Sequence, residues 1–137
     1  MNDNDWILSF NPVVEELEKT YGDMWLCGLF QREGSEDFKP KPDFVLGAHW
    51  IKENQLKSYE KVGNLFKKHK VDTSKLSRMV LLQTPIKLLK CLQEQPTIGG
   101  SFNCWETDLN FDIESYYLFR LSSHDKYLNI RKKKAKK

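Results

Sequence analysis

The chain has 137 residues, of which 39% are hydrophobic, 12% aromatic and 30% charged, and its formal net charge is +3. This length allows one domain with its own core, and the composition excludes a predominantly disordered or low-complexity protein. The charge is unevenly distributed, because residues 1–51 sum to −6, residues 52–90 to +7 and residues 91–137 to +2. Such asymmetry is typical of a protein that contacts a polyanion or an oppositely charged partner.

Cysteine usage and hydropathy bear on the cellular compartment. The cysteines Cys27, Cys91 and Cys104 are odd in number, far apart and set among apolar neighbours. These features are typical of reduced core thiols in an intracellular protein. No apolar run approaches the ~18 residues of a membrane span, and the first residues are acidic where a signal peptide is basic. We therefore expect a protein without membrane contact, nuclear in a eukaryote and otherwise cytoplasmic.

The N-terminal part of the chain predicts one helix and then two strands. An Asn-Pro pair ahead of apolar residues at helical spacing indicates a helix from Asn11 to about Gly22. The apolar run 24–30 predicts a buried strand, and the polar, proline-containing segment 31–42 predicts a surface loop. The run 44–51 favours a second strand, with a helix as the alternative, because so short a run has no decisive period.

Residues 52–95 form a basic region, and its first half predicts two helices separated by a short break. Apolar residues recur at helical spacing in the first of them, at Leu56, Tyr59, Val62 and Phe66. The polar break 71–74 is followed by a second apolar pattern that predicts a helix over residues 74–82. The two segments together have the outline of a helix–turn–helix.

The rest of the chain predicts a third helix and a group of strands. Thr84 and Pro85 are suited to a helix cap and a first-turn proline, and the helical pattern continues to Leu92. From residue 101 onward apolar and polar residues alternate, which is typical of strands. A four-residue loop at 122–125 is expected to join two strands, 116–121 and 126–130, as a hairpin.

These elements predict a single-domain α+β fold, with central helices and a C-terminal antiparallel sheet or hairpin. The globular domain is expected to span residues 1–130. Residues 131–137 include six basic residues and have little to bury, so they predict a flexible basic tail.

The basic region resembles a family of DNA-binding domains. Segments 62–66 and 73–78 are similar to the second and third helices of helix–turn–helix or homeobox-like domains. In that family a small residue lies in the positioning helix, and a Ser/Thr-capped recognition helix that contains arginine follows. The resemblance lies within residues 60–82 and implies DNA binding, with Lys75 and Arg78 as the matching residues. The chain lacks the Trp-Phe-x-Asn-x-Arg run of homeodomains, so no base-reading role is transferred.

The charge pattern favours a non-catalytic nucleic-acid-binding protein, an accessory subunit of a larger DNA-acting complex. Binding would be mainly electrostatic, because each neutralised phosphate releases counterions, and DNA is favoured over RNA. The residues expected to contact phosphates are Lys57, Lys61, Lys67, Lys68, Lys70, Lys75 and Arg78, with Lys132, Lys133 and Lys134 in the tail. The tail alternatively fits a nuclear-localisation signal or a solubilising segment.

A protein–protein adaptor without nucleic-acid contact is the first alternative. It would dock through the acidic N-terminal segment and the aromatic strands, and its lysines would only be solvated. The candidate anchors are the four tryptophans, Trp6, Trp25, Trp50 and Trp105. The acidic and basic segments could also pair with each other within the chain, and the sequence leaves that possibility open.

A small metal-dependent nuclease is the second alternative. The Pro-Asp pair at 42–43 could begin a nuclease pattern, but no Glu/Asp-x-Lys motif follows soon after on an apolar strand. His49, His69 and His124 are scattered and do not have the spacing of metal ligands. Glycine-rich phosphate loops and serine-nucleophile motifs are absent from the sequence. We therefore predict no catalytic residue, no metal and no cofactor.

Overall fold

A computed structural model describes residues 4–51, 56–94, 98–106 and 109–122. The helices along these residues are α1 (Asn4–Leu8), α2 (Asn11–Tyr21), α3 (Leu56–Lys68) and α4 (Ile86–Gln93). The strands are β1 (Leu26–Arg32), β2 (Asp43–Gly47), β3 (Arg78–Leu82), β4 (Ile98–Gly99), β5 (Phe102–Glu106) and β6 (Leu109–Leu121). A short 3₁₀ helix, Thr73–Lys75, precedes β3.

The described strands form one mixed sheet with the order β3-β2-β1-β6-β4, and β5 also pairs with β6. β2 and β3 are parallel, and the other pairs are antiparallel. Parallel neighbours need a long crossover connection, and α3 lies in the connection between β2 and β3. The fold is a single-domain α+β fold, as predicted. Its helices are not gathered in the middle of the chain, because α1 and α2 precede the first strand.

Both faces of the sheet are covered. Alternate residues of β1, β2 and β3 point to opposite faces, and the two sets belong to two separate core clusters. One cluster joins the sheet to α1, α2 and α3, and the other joins it to α4 and the β5–β6 hairpin. Burial on both faces explains why β1 and β2 are almost continuous apolar runs.

Three phenylalanines fix the helices on the first face. Phe10, between α1 and α2, has its ring centroid 5.6 Å from that of Phe44 on β2 and 5.5 Å from that of Phe66 on α3. The Phe44 and Phe66 centroids are 5.1 Å apart, and all three side chains are buried. Aromatic pairs at these distances stabilise a core beyond their buried area, so this triad holds α3 against β2.

The predicted helix from Asn11 is present as α2, with small differences at its start. Pro12 lies in the first turn, where its missing N–H removes no intrahelical bond, and the N-cap residue is Phe10 rather than Asn11. Gly22 ends the helix with a φ of 106°, a backbone conformation that residues other than glycine rarely adopt.

The predicted second helix of the basic region, residues 74–82, is wrong. The segment forms the end of the 3₁₀ helix and then β3, which lies parallel to β2. Met79 and Leu81 pack on the face of α1–α3, whereas Val80 and Leu82 pack on the face of α4. A strand buried on both faces is continuously apolar, so its pattern does not differ from that of a short buried helix. The helix–turn–helix outline is therefore absent from this part of the structure.

β6 is one strand of 13 residues. The sequence predicted strands on either side of residue 115, but the chain remains extended and pairs with β1 and β5 along its length. Register shifts in the pairing with β1 mark irregularities next to Cys27 and Arg32. The predicted hairpin at 122–125 and the tail 131–137 lie outside the described residues, apart from Ser122.

The cap of α4 comes from a distant part of the chain. The N-cap residue is Pro85, which makes no side-chain cap, so the expected Thr84 cap is wrong. Instead the buried carboxylate of Glu106, on β5, accepts hydrogen bonds from the backbone N–H groups of Lys87 at 2.8 Å and Leu88 at 3.0 Å. A carboxylate at this end of a helix satisfies N–H groups that have no intrahelical partner and lies at the positive end of the helix dipole.

Candidate nucleic-acid interface

Three of the lysines predicted to contact phosphates form a stripe on α3. Lys57, Lys61 and Lys68 are exposed and lie on one side of the helix, at spacings of four and seven residues. Two of the three contact α2, because Lys61 Nζ lies 4.9 Å from the ring centroid of Tyr21 and Lys68 Nζ donates to Glu16 at 2.8 Å. Part of the positive charge of α3 is therefore compensated within the molecule.

Glu16 is the centre of this compensation. Its Oε1 atom is 2.9 Å from Nε2 of His69, in addition to the hydrogen bond from Lys68. The Lys68 hydrogen bond, followed by that of His69, lowers the pKa of the Glu16 carboxyl group. The acidic and basic segments of the chain thus pair at this point, which was the possibility that the sequence left open.

Two further predicted lysines, Lys67 and Lys70, lie away from α2. Both are exposed, and among the described residues neither side chain makes a hydrogen bond or an ion pair. Lys70 follows α3 with a φ of 57°, in the left-handed region. These lysines, together with Lys57, leave some positive charge on the surface of α3 open to solvent.

A second group of basic residues meets where β1 ends and β2 and β3 begin. We call it the basic cluster, and it consists of Arg32, Lys41, Lys75 and Arg78. The antiparallel pairing of β1 with β2 and the parallel pairing of β2 with β3 bring these positions together. Lys75 and Arg78 were predicted from the sequence, whereas Arg32 and Lys41 were not.

A buried carboxylate organises the two arginines of the basic cluster. Asp43 is fully buried, and its Oδ2 atom lies 3.0 Å from Nε of Arg78 and 3.2 Å from Nε of Arg32. Its Oδ1 atom is also buried and has no hydrogen-bond partner among the described residues. Burial raises the pKa of Asp43, and the hydrogen bond and charge of Arg78 and the charge of Arg32 offset only part of that effect.

Both arginine side chains reach solvent. They are 33% exposed for Arg32 and 35% for Arg78, because each contacts Asp43 through Nε, the nitrogen nearest the backbone. Arg32 also donates from Nη2 to the hydroxyl of Ser77 at 2.9 Å. The outer N–H groups of a guanidinium are those that bind phosphate or carboxylate oxygens in pairs. The exposed part of each guanidinium group can therefore contact an anion.

The two lysines complete the basic cluster on the side of the 3₁₀ helix. Lys41 Nζ donates to the carbonyl oxygen of Ser74 at 2.7 Å, which ties the loop before β2 to the segment before β3. Hydrogen bonds from Ser74 lower the pKa of Asp72, and the charges of Lys75 and Lys41 add to the effect. Asp43 thus lies between the two arginines of the basic cluster, and Asp72 lies near its two lysines.

The three tail lysines that were predicted to contact phosphates, Lys132, Lys133 and Lys134, lie outside the described residues.

The nuclease alternative can be compared with the surroundings of its aspartate. Asp43, on which the nuclease alternative depends, is already held by two guanidinium groups, an environment that disfavours binding of a metal cation. In the described ranges no three His, Cys, Asp or Glu side chains are grouped so that they could hold a metal ion.

The tryptophans proposed as anchors are not equivalent. Trp6 and Trp25 are buried, and Trp50 is half-buried against Tyr21, with ring centroids 4.9 Å apart. Trp105 is 56% exposed and lies on the outer face of β5. Of the four, Trp105 is the one that can offer a large apolar surface to a partner.

Comparison of the chain with protein-family models, with curated proteins and with solved structures finds no match. None of the helices described is both long enough and apolar enough to cross a membrane.

Proposed function

We propose that this protein is a non-catalytic nucleic-acid-binding protein, an accessory subunit that contacts the phosphate backbone of DNA through the basic cluster. The observation that supports the proposal is the pair of arginines anchored on one buried carboxylate, with side chains that remain 33% and 35% exposed. The sequence placed the interface on a pair of helices. The proposal moves it to the ends of the strands, because the second helix is a strand and α3 faces acidic α2.

Anchoring improves phosphate binding for a physical reason. Arg32 and Arg78 have lost part of their rotamer freedom to Asp43, so less conformational entropy remains to be lost when an anion binds. Lys41 and Lys75 add positive charge beside them, and an ammonium group contacts phosphate as a point charge that does not distinguish base edges. Such a site recognises the charge of the phosphates and not the base sequence. It would therefore bind DNA weakly by itself and add affinity to a larger complex.

The proposal predicts salt-dependent binding that depends on the basic cluster. A fluorescently labelled duplex should bind at low salt, and with three to four phosphate contacts the slope of log K against log salt should be about −3. The double variant Lys41→Gln/Lys75→Gln should bind more weakly and reduce the slope by about 2, because two phosphate contacts are lost. Fluorescence anisotropy over a salt series gives both quantities.

Lys57→Gln/Lys67→Gln is the matched control, since it removes the same charge from exposed positions on α3. An unchanged slope in this control, with a reduced slope in the cluster variant, supports the proposal. A loss confined to the α3 variant would place the interface on α3 and overturn the role of the basic cluster. Absence of binding at low salt would overturn nucleic-acid binding altogether, and single-stranded RNA and DNA of equal length would show which polymer is preferred.

The exposure of Trp105 favours a second candidate, an adaptor that binds another protein through the outer face of the β5–β6 hairpin. Asn103 and Asn110 flank it on that face and are hydrogen-bonded to each other at 2.9 Å. Tryptophan surrounded by polar groups is a frequent centre of protein interfaces.

The adaptor candidate predicts a stoichiometric protein partner, free of nucleic acid, that is lost when Trp105 is replaced by alanine. Phe38→Ala is the matched control, because Phe38 is 68% exposed but lies in the loop before β2. Affinity purification with quantitative mass spectrometry compares the two variants. Retention of the partner by Trp105→Ala, or equal loss in both variants, would contradict this role for the hairpin.

A further inference from the structure

Two of the three cysteines meet where α4 packs on β5. Cys91 lies on α4 and is half-buried, and Cys104 lies on β5 and is buried. Cys104 belongs to the buried core cluster on the α4 face of the sheet, Cys91 packs against that cluster, and a charge on Cys91 raises the pKa of Cys104. Cys27 is separated from them, because it is buried in the core cluster on the other face of the sheet.

The Glu106 cap of α4 accounts for the proximity of these two cysteines. Cys91 lies three residues beyond Leu88, one of the two amides that Glu106 caps, and this is roughly 4.5 Å along a helix axis. Cys104 lies two residues before Glu106, on the same face of β5 and roughly 6.6 Å along the strand. Both cysteines thus lie within two or three residues of one fixed contact, and their proximity follows from the packing of α4 on the sheet.

We propose that Cys91 and Cys104 form a reversible thiol–disulfide pair that joins α4 to β5 when the protein meets a low-molecular-weight disulfide such as oxidised glutathione. The Cys91 thiolate, the more accessible of the two, attacks one sulfur of glutathione disulfide and releases one glutathione thiolate. Cys104, after losing its proton to solvent, attacks Sγ of Cys91 in the mixed disulfide and releases the second glutathione. Two protein thiols are oxidised, and one glutathione disulfide is reduced to two thiols.

The environment of the two sulfurs sets the speed of this exchange. Burial raises the pKa of Cys104 to about 11 and also raises that of Cys91, so little thiolate is present at neutral pH. The charged and titratable groups that act on the pair come from three elements: Lys87 and Glu94 on α4, Glu106 on β5 and Tyr116 on β6. Lys87 alone among these favours a thiolate, so exchange should be slow at neutral pH and accelerate as the solution is made alkaline.

Oxidation should also stabilise the fold measurably. The bond would close a ring over residues 91–104, and cross-links of about this length raise the melting temperature of a domain of this size by roughly 10 °C when they fit without strain. The pair would therefore connect the redox state of the surroundings to the attachment of α4. This inference does not depend on the proposed nucleic-acid function.

The test uses the full chain in buffers of increasing oxidised-to-reduced glutathione ratio, at neutral and mildly alkaline pH. Intact mass and peptide mapping should show the loss of two hydrogen masses and a cross-link between Cys91 and Cys104, reversed by a dithiol reductant. Cys27→Ser should behave as the wild type does. Cys104→Ser, or Cys104→Ala if the serine variant does not fold, should stop at a glutathione adduct on Cys91.

Two results with the wild-type protein would overturn the proposal, and neither depends on the folding of a variant. One is a lasting glutathione adduct on Cys91 that Cys104 does not displace. The other is a chain that stays fully reduced in oxidised glutathione at alkaline pH.

Discussion

Replacing Arg78 with methionine should lower the free energy of unfolding by about 3 kcal/mol at pH 7, measured by urea denaturation. The substitution leaves the fully buried carboxylate of Asp43 with Arg32 as its one remaining ion-pair partner among the described residues. A buried charge that loses a partner keeps its desolvation cost and loses the attraction that offset it. The effect should come from the buried acid and not from the exposed part of the arginine.

The converse substitution, Asp43→Asn, should cost less, about 1 kcal/mol. It leaves two guanidinium groups whose side chains are 33% and 35% exposed, so water can replace the lost carboxylate. In the Arg78→Met background Asp43→Asn should restore most of the lost stability, since it removes the buried charge itself. A double-mutant cycle of the four proteins therefore gives a coupling energy of the opposite sign to the cost of Arg78→Met.

Arg120→Met is the matched control. Arg120 pairs with Glu18 at 3.1 Å, and the two side chains are 35% and 36% exposed, so the arginine has the exposure of Arg78 but an accessible partner. An ion pair of this kind contributes about 0–1 kcal/mol. If Arg78→Met lowers the free energy of unfolding no more than Arg120→Met does, Arg78 is not needed to stabilise the buried carboxylate of Asp43.

The pH dependence of the Arg78→Met deficit follows from Asp43. Because its pKa is raised in the folded state, the folded protein holds this proton more tightly than the unfolded chain. Its contribution to stability therefore grows as the pH falls through the folded-state pKa, and it is complete below the ordinary value of 3.8. Loss of Arg78 should raise the pKa further, so the difference between variant and wild type should shrink as the pH is lowered from neutral.

Local sequence patterns were sufficient to predict the elements whose apolar residues recur with a clear helical period. α2 and α3 have apolar residues on one side over three turns, and the start and end of α2 carry proline and glycine, so both helices could be predicted. β3 could not be distinguished from a helix, because the deciding fact is its burial between α3 and α4 on opposite faces. That burial depends on the parallel pairing with β2, which no local pattern contains.

The basic cluster shows the same limit for the candidate site. Charge counting over segments assigned Lys75 and Arg78 to the interface but left out Arg32 and Lys41, because these lie in the acidic N-terminal segment. The partner of Arg78 is Asp43, which is 35 residues away and meets it through the strand register. An aspartate at the first position of an otherwise apolar strand was the one signal available, since such a residue needs a charged partner when buried.

Glu106→Ala should lower the free energy of unfolding by about 3 kcal/mol, measured by urea denaturation. Glu106 is buried, and its loss would leave the N–H groups of Lys87 and Leu88 without their hydrogen-bond acceptor. Each charge-assisted hydrogen bond contributes about 1.5–3 kcal/mol, and part of the loss would be recovered by water entering the space. Glu106→Gln should fall between the two proteins, because the amide oxygen can still accept but carries no charge for the helix dipole.

The opposite end of α4 supplies the control and a second measurement. Glu94 is an exposed carboxylate at the C-terminal end of the helix, where the dipole disfavours negative charge, so Glu94→Gln should be neutral or slightly stabilising. In Glu106→Ala the amides of Lys87 and Leu88 should exchange with solvent faster than in the wild type, because they have lost their acceptor. If Glu106→Ala were as stable as Glu94→Gln, and if hydrogen exchange at the amides of Lys87 and Leu88 were unchanged, α4 would be held by its leucines and not by the cap. The predicted asymmetry instead follows from one buried carboxylate that joins the start of α4 to β5.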